Sequence, residues 1–468
     1  MSAFPRRRRL VALGLLALAA CVPVPYQARE LDATAAAADY VARRVDQPGL
    51  ARFAARSGYA GTWPPEQWSF AELALVALYF DPHVRSARAQ TDVTRAELAL
   101  AGTREGMSLT PVIEHHSRQL DDAPWSVGVA LELPWVARTR REARRARAVA
   151  LADAAELDVA RSVWQSRARL RDALIELTDS RRRLTVLEAA LSARRDMRNL
   201  VARRVEAGML SARELAQEEA ALGEVEATVE LERGRLRAAR AAMAGSLGIA
   251  PEVFARMTVA DSPLGDAAPP MTPAEVRAAA LRNRLDVHRR LLEFGAADAE
   301  LRLAVAAQYP DLAAAPAYLW DQGDSVWSLA ARIAFPASAR AAATVRRAEA
   351  ARELAARRFI ELQHEVIAQA ERASARLVSA LAQREAAARQ AAAARARLQR
   401  AQTLFERGVA DRLELTAARL VAGASADGER EAQSAVLRAL AALEDTTQAP
   451  LLGADATLHA ATGHRIAR

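Results

Sequence analysis

The sequence predicts a mainly helical protein with a small β component, built as a duplicated unit of helix, β-hairpin and long helical hairpin. Three observations predict it. One stretch recurs, without a gap, about 200 residues downstream: Val205-Glu206-Ala207-Gly208-Met209-Leu210-Ser211-Ala212-Arg213-Glu214-Leu215 returns as Phe405-Glu406-Arg407-Gly408-Val409-Ala410-Asp411-Arg412-Leu413-Glu414-Leu415. Two segments of strict apolar alternation, Trp125 to Pro134 and Trp327 to Pro336, keep nearly the same offset. Gly and Pro are sparse at 20 and 19 in 468 residues and aromatics are 5%, while Ala, Arg, Leu and Glu abound, which points to long helices rather than several large globular cores.

In chain order, Arg6 to Arg9 form a basic region, Leu10 to Ala20 a short apolar one, and Leu18-Ala19-Ala20-Cys21 resembles a bacterial lipobox around the single cysteine. An apolar run this short reads as a signal peptide (1–20), not a spanning helix. The resemblance implies cleavage before Cys21 and its acylation; Val22 follows, so nothing resembles an inner-membrane retention signal. With one cysteine no intramolecular disulfide forms. Residues 21–65, dotted with Pro and Gly, predict an extended, irregular lead-in.

The first repeat (66–249) opens with a helical pattern from Phe70 to about Thr103, with Pro82 kinking or dividing it. Between about 108 and 134 the period changes to two. Trp125, Val127, Val129, Leu131 and Leu133 share one face; Ser126, Gly128, Ala130 and Glu132 share the other. Ser108 to Arg118 is its polar partner, turning through Asp121-Asp122. A helical hairpin over 137–247 follows. Leu170, Leu174, Leu177, Leu184 and Leu191 fall near a 3.5-residue period, as in coiled coils. Gly208 supplies the positive φ that closes the first leg, and Ser211 caps the second. Each hairpin is roughly 100 Å long at ~1.5 Å per residue.

Residues 250–271, with Pro251, Pro263, Pro269 and Pro270, predict a linker between halves. The second repeat (272–446) restates the plan. A helix capped by Thr272 runs to about Ala307. Strands lie between about 310 and 336, turning at Asp321 to Asp324, with Trp327, Leu329, Ile333 and Phe335 on the apolar face and Ser328, Ala330, Arg332 and Ala334 opposite. A second hairpin spans 341–446, with Gly408 at its tip and Asp411 as N-cap. Residues 447–468 predict a loose tail.

The net charge of +8 comes from 65 basic and 57 acidic residues, and every basic residue is arginine. Arg alternates with Glu along the helices, as in Glu429-Arg430-Glu431, which marks solvated faces rather than a nucleic-acid stripe. No phosphate-binding glycine loop, nucleophile elbow or zinc-ligand spacing is present, so neither an enzyme nor a metal or cofactor site is expected. His115 and His116 are the one close histidine pair, read as loop or lumen polar groups because strand neighbours point to opposite faces. A strand pair apolar on one side cannot span a membrane alone, since an open edge is not tolerated in lipid. Several chains would have to share one barrel.

The ordered set of features, present twice from about residue 66 to 446, resembles the TolC family of outer-membrane efflux channels. It comprises the duplication, the strand-ending Pro134 and Pro336, the tip glycines and an acylated start. Pro310-Asp311 with Tyr318-Leu319-Trp320-Asp321-Gln322-Gly323 and Trp327-Ser328-Leu329 is most similar to members serving RND-type pumps. The resemblance implies a lipid-anchored homotrimer in the outer membrane. A shared twelve-stranded β-barrel would continue into a periplasmic α-helical barrel, and a periplasmic adaptor and an inner-membrane pump would dock at its tip. The apolar strand faces would then meet lipid. Arg204, Gly208, Met209, Leu210, Gly408 and Val409 would contact the adaptor. Glu414 and Glu214, with Arg412 and Arg407 close by, would line the periplasmic aperture. Family members often carry a second acid nine residues after the second tip glycine; Ala417 stands there, implying a narrower acidic ring or a different gate. Two other readings remain at this stage: a type I secretion exit channel, and a periplasmic coiled-coil adaptor without a pore, against which two hairpins and few strands argue.

Overall fold

Helices of 69 and 36 residues, each pair closed by a glycine, occur twice and set the dimensions of the molecule. The computed structural model describes residues 25–104, 106–117, 124–135, 137–260, 264, 271–321 and 323–452. The chain divides into two units, residues 1–43 and 44–468. The first unit holds one described helix, α1 (Ala33–Ala42), started by Asp32, whose carboxylate accepts from the Thr34 and Ala35 N–H groups. In the second unit the elements are α2 (Pro48–Arg56), α3 (Phe70–Phe80), α4 (Pro82–Gly102), β1 (Ser108–His115), β2 (Trp125–Trp135), α5 (Arg138–Glu206) and α6 (Ala212–Leu247). There follow α7 (Pro251–Phe254), α8 (Pro273–Asn283), α9 (Leu285–Ala306), β3 (Asp311–Asp321), β4 (Asp324–Ala334), α10 (Ser338–Glu406) and α11 (Arg412–Thr447).

Several expectations are corrected. The lead-in is not wholly irregular: it carries α1 and α2. Pro48 sits in the first turn of α2, where a missing N–H costs nothing, and Leu50 and Ala54 are buried. The segment after the first repeat is no free linker. Phe254 and Val259 are buried, and Trp68 pairs with it in parallel, donating to Thr258 O at 2.9 Å while its own carbonyl accepts from Ala260 at 3.1 Å. The tail is not loose at its start, because Leu451 and Leu452 are buried. The helix expected from Thr272 to Ala307 is two helices broken at Arg284, whose extended backbone mirrors Asp81 between α3 and α4. Strand β4 starts at Asp324 and ends at Ala334, so Phe335 lies beyond it. The second hairpin begins at Ser338 rather than 341.

One hydrophobic core joins the two repeats. It lies halfway along α5, at Leu170, Leu174 and Leu177, and halfway along α10, at Val366, Ala370 and Leu377. The ends of α6 and α11 reach it through Met243, Leu247, Val436, Leu440 and Leu443, and α3 and α8 cover it with Phe70, Leu73, Val276 and Ala280. From this waist, the first halves of α5 and α10 run alongside α4 and α9 toward the sheet. Their second halves run with α6 and α11 to the tips, about 54 Å away at 36 residues per returning leg.

Charge is also buried at the waist. Arg167, Arg171 and Glu444 have no exposed side chain; Glu444 pairs with both guanidiniums, and Arg171 makes a bidentate pair with Asp445 at 2.8 and 3.0 Å. Arg167 lies over the rings of Phe70 and Trp164, at 4.9 and 5.5 Å. The Leu452 peptide is held at both ends: its N–H donates to Glu444 at 3.1 Å and its carbonyl accepts from Arg167.

The four strands form one antiparallel sheet in the order β1-β2-β3-β4. The repeats therefore share a sheet, since β2 of the first pairs with β3 of the second in a register that includes Val127 with Trp320 and Ala130 with Ala317.

Candidate functional site

The sheet and the hairpin tips carry what the sequence marks as functional. Register sorts the strand residues onto two faces. Leu109, Pro111 and Ile113 of β1 stand opposite Leu131, Val129 and Val127 of β2. Val127 and Val129 stand opposite Trp320 and Tyr318 of β3, and Tyr318, Pro316 and Leu312 stand opposite Trp327, Leu329 and Ile333 of β4. This face is apolar across all four strands and outward, Trp327 and Leu329 being 78% exposed. Trp125, Leu133 and the neighbouring Phe335 are exposed beside it, and Leu131 is half-buried. The expected apolar residues thus share one surface, which β1 and β3 extend with Leu109, Pro111, Ile113, Leu312, Pro316, Tyr318 and Trp320.

The opposite face is made mostly of small and polar residues, Gly128 and Ala130 of β2, Ala313, Ala315 and Ala317 of β3, Ser328 and Ala330 of β4, interrupted by one apolar row in which Val112, Leu319 and Val326 stand in register with Gly128. Gly128 is required by close approach, because a Cβ there would lie 2.4 Å from the Tyr318 carbonyl oxygen. Polar pairs bridge this face. Glu132 of β2 meets Arg332 of β4 across the intervening strand. At the turn end, His116 lies 2.8 Å from Ser126 Oγ and 3.4 Å from Asp321, and Ser126 donates to Asp321. At the helix end, Arg140 of α5 pairs with Asp311 and donates to Ala306 O at 3.0 Å. The two histidines separate as strand alternation demands, but only His116 joins the polar face; His115 stacks edge-on against Trp125 at 4.6 Å on the apolar one.

At the tips, Gly208 and Gly408 take φ of 74° and 73°, the left-handed region that a side chain disfavours. In each, the residue after glycine donates back to the helix: Met209 to Arg204 O at 2.8 Å, Val409 to Leu404 O at 2.9 Å. Met209 and Val409 are exposed and Leu210 is half-buried. Ser211 and Glu214 form a reciprocal capping box, so the Glu214 carboxylate is engaged by the Ser211 N–H at 2.7 Å and its hydroxyl at 2.9 Å, and its pKa is lowered by those bonds. In the second copy Asp411 takes the cap alone, accepting from the Glu414 N–H at 2.9 Å, which leaves the Glu414 side chain exposed.

Arg204 of the first tip reaches Asp411 of the second at 2.7 Å. That bond and the Glu414 N–H hold the Asp411 carboxyl below its usual range. Among the described residues, neither Arg407 nor Arg412 pairs with Glu414 within one chain. No pattern in the sequence signals the Arg204–Asp411 pair, the Glu132–Arg332 pair or the His116 cluster. Alternation had put Glu132 and Arg332 on the polar face, but their meeting needs the β2–β3 register. Cys21 lies outside the described residues. No helix among the described residues is long and apolar enough to cross a membrane, and no three metal-ligating side chains gather there.

No protein-family model matches the sequence, and no curated protein matches it. Solved structures do. The outer-membrane channel OprN is 20% identical, with 91% of this chain and 98% of that one covered and a TM-score of 0.66. The outer membrane protein VceC of Vibrio cholerae is 18% identical over 82% of this chain and 99% of its own, at 0.66. The CmeC outer membrane channel of Campylobacter jejuni is 12% identical over 93% and 95%, at 0.65. At such identities the likeness is one of fold: the chain has the fold of these outer-membrane channels.

Proposed function

We propose that this protein is the outer-membrane exit duct of a tripartite efflux system, a homotrimer conducting solutes passively from an inner-membrane pump and periplasmic adaptor to the outside. The observation that carries the reading is the sheet. It has one continuous apolar face, one face mostly of small and polar residues, and two edges, β1 and β4, without a partner strand among the described residues. In lipid such edges must be paired, and antiparallel pairing of β4 with β1 of the next copy closes the wall. Three copies would give twelve strands, apolar outside and polar inside. The helices leaving its periplasmic end would extend the duct by their ~100 Å length.

In this reading the tips meet the adaptor through Gly208, Met209, Leu210, Gly408 and Val409, with Arg204 tied to Asp411 beneath them. Glu414, exposed and uncapped, supplies the acidic ring at the aperture; Glu214 contributes less, being engaged by Ser211. Arg407 and Arg412 act there only between protomers. Acylation of Cys21 adds an anchor to the barrel. The deciding experiment reconstitutes the purified protein into planar bilayers and determines its mass in detergent. A trimer with discrete conductance steps is expected; a monomer that leaves the bilayer insulating would overturn the proposal.

A further inference from the structure

The polar face of the sheet carries opposite charges in register, and their arrangement bears on what the conduit passes. Glu132 and Arg332 project from β2 and β4 and meet over the alanines of β3, where Arg332 stands opposite Ala313 and Ala330 opposite Ala315. No bulky side chain separates them, so the pair lies open on that face, with Arg332 67% and Glu132 30% exposed at the side chain. One step toward the helices, Arg140 and Asp311 form a second opposed pair on the same side. Each pair is neutral as a whole.

We propose that Glu132–Arg332 forms a charge-balanced belt on the inner wall of the duct, which keeps this level indifferent to the sign of a passing solute; the inference rests on the barrel reading above. Repeated three times, the belt presents alternating charges of equal number. Their fields cancel within about a Debye length, ~10 Å at 0.1 M salt and ~30 Å at 0.01 M. Solutes of either charge then pass with little discrimination. Loss of one partner leaves three like charges facing one another across the lumen, and the belt becomes a selectivity ring.

The test reads the potential at the belt itself, independently of any narrower point in the duct. A cysteine is placed at Ala330 on the inner face, and its reaction rates with a cationic and an anionic methanethiosulfonate are compared in trimers reconstituted in vesicles at about 0.01 M salt. With the native pair, the ratio of rates should match that of a free thiol. Glu132→Gln should raise the anionic rate over the cationic by about threefold or more, and Arg332→Gln should do the reverse. The double variant should restore the native ratio, and 1 M salt should erase both effects, where the Debye length is about 3 Å. A cysteine at Leu329 on the apolar face should react with neither reagent. If the Leu329→Cys protein reacts freely, the barrel reading fails, and this inference with it. If it is protected but the ratio at Ala330→Cys does not change in either single variant, the belt alone is overturned.

Discussion

Glu444 has no exposed side chain, and among the described residues its charge is supported by Arg167, Arg171 and the Leu452 N–H. Removing one partner of a buried ion pair costs more than the pair contributes, because the survivors stay desolvated. Glu444→Gln should therefore lower stability by about 3–5 kcal/mol, read as a drop in the thermal or urea midpoint of the detergent-solubilised protein. Asp411 gives a pH prediction of opposite character. Its carboxyl is depressed by the Arg204 bond and the Glu414 N–H. A depressed carboxylate stabilises the fold above its unfolded pKa, near 3.9, and loses that contribution as pH falls through the lower folded value. The tip pair should hold from neutral to mildly acidic pH and release only below about pH 4. Hydrogen-exchange protection factors at residues 408–415 should stay flat through the neutral range in the native protein. In Asp411→Asn, which keeps the cap but loses the charge that Arg204 meets, they should be lower and independent of pH down to about pH 3.

At the scale of elements, face identity governs tolerance. Leu329 and Ser328 are neighbours on β4 but belong to opposite faces. Leu329→Arg should cost about 2–4 kcal/mol at mid-depth in a bilayer and deplete the protein from outer-membrane fractions, whereas Ser328→Arg should insert normally. Equal loss in both would refute the assignment of faces. The long hairpins are held to each other by clamps rather than by continuous apolar packing. Asp179 of α5 receives Arg430, Ser434 and Arg438 of α11, and at the tips Arg204 of α5 pairs with Asp411, the residue that caps α11. Asp179→Ala should raise hydrogen exchange along the middle of α11 while the waist core keeps its protection. The tip glycines act locally: Gly408→Val forces a β-branched residue to positive φ, at about 1–2 kcal/mol, and efflux should fail while trimers still assemble.

For the whole molecule, the open sheet edges predict assembly. Outer-membrane fractions should hold a trimer that resists detergent and collapses to monomer on heating, and Gly128→Val, which drives a side chain into the Tyr318 backbone, should prevent it by parting β2 from β3. If the proposed barrel anchors the protein by itself, Cys21→Ala should abolish fatty-acid labelling and leave the trimer intact; label persisting in that variant would refute acylation at Cys21.

Local signals carried far in this chain. The duplication, the tip glycines, the two pairs of strands and their apolar faces were legible because each depends on periodicity or on a residue with a special backbone preference. Proline misled where position mattered more than identity: Pro48 and Pro251 open helices rather than mark loops. What the sequence could not reveal is every contact between repeats. The β2–β3 register, the buried contacts of Arg167 with Glu444 and Leu452, the Arg204–Asp411 pair and the Glu132–Arg332 bridge all join residues more than 170 positions apart. No local pattern encodes them, because they arise only when the shared core at the waist sets both repeats side by side.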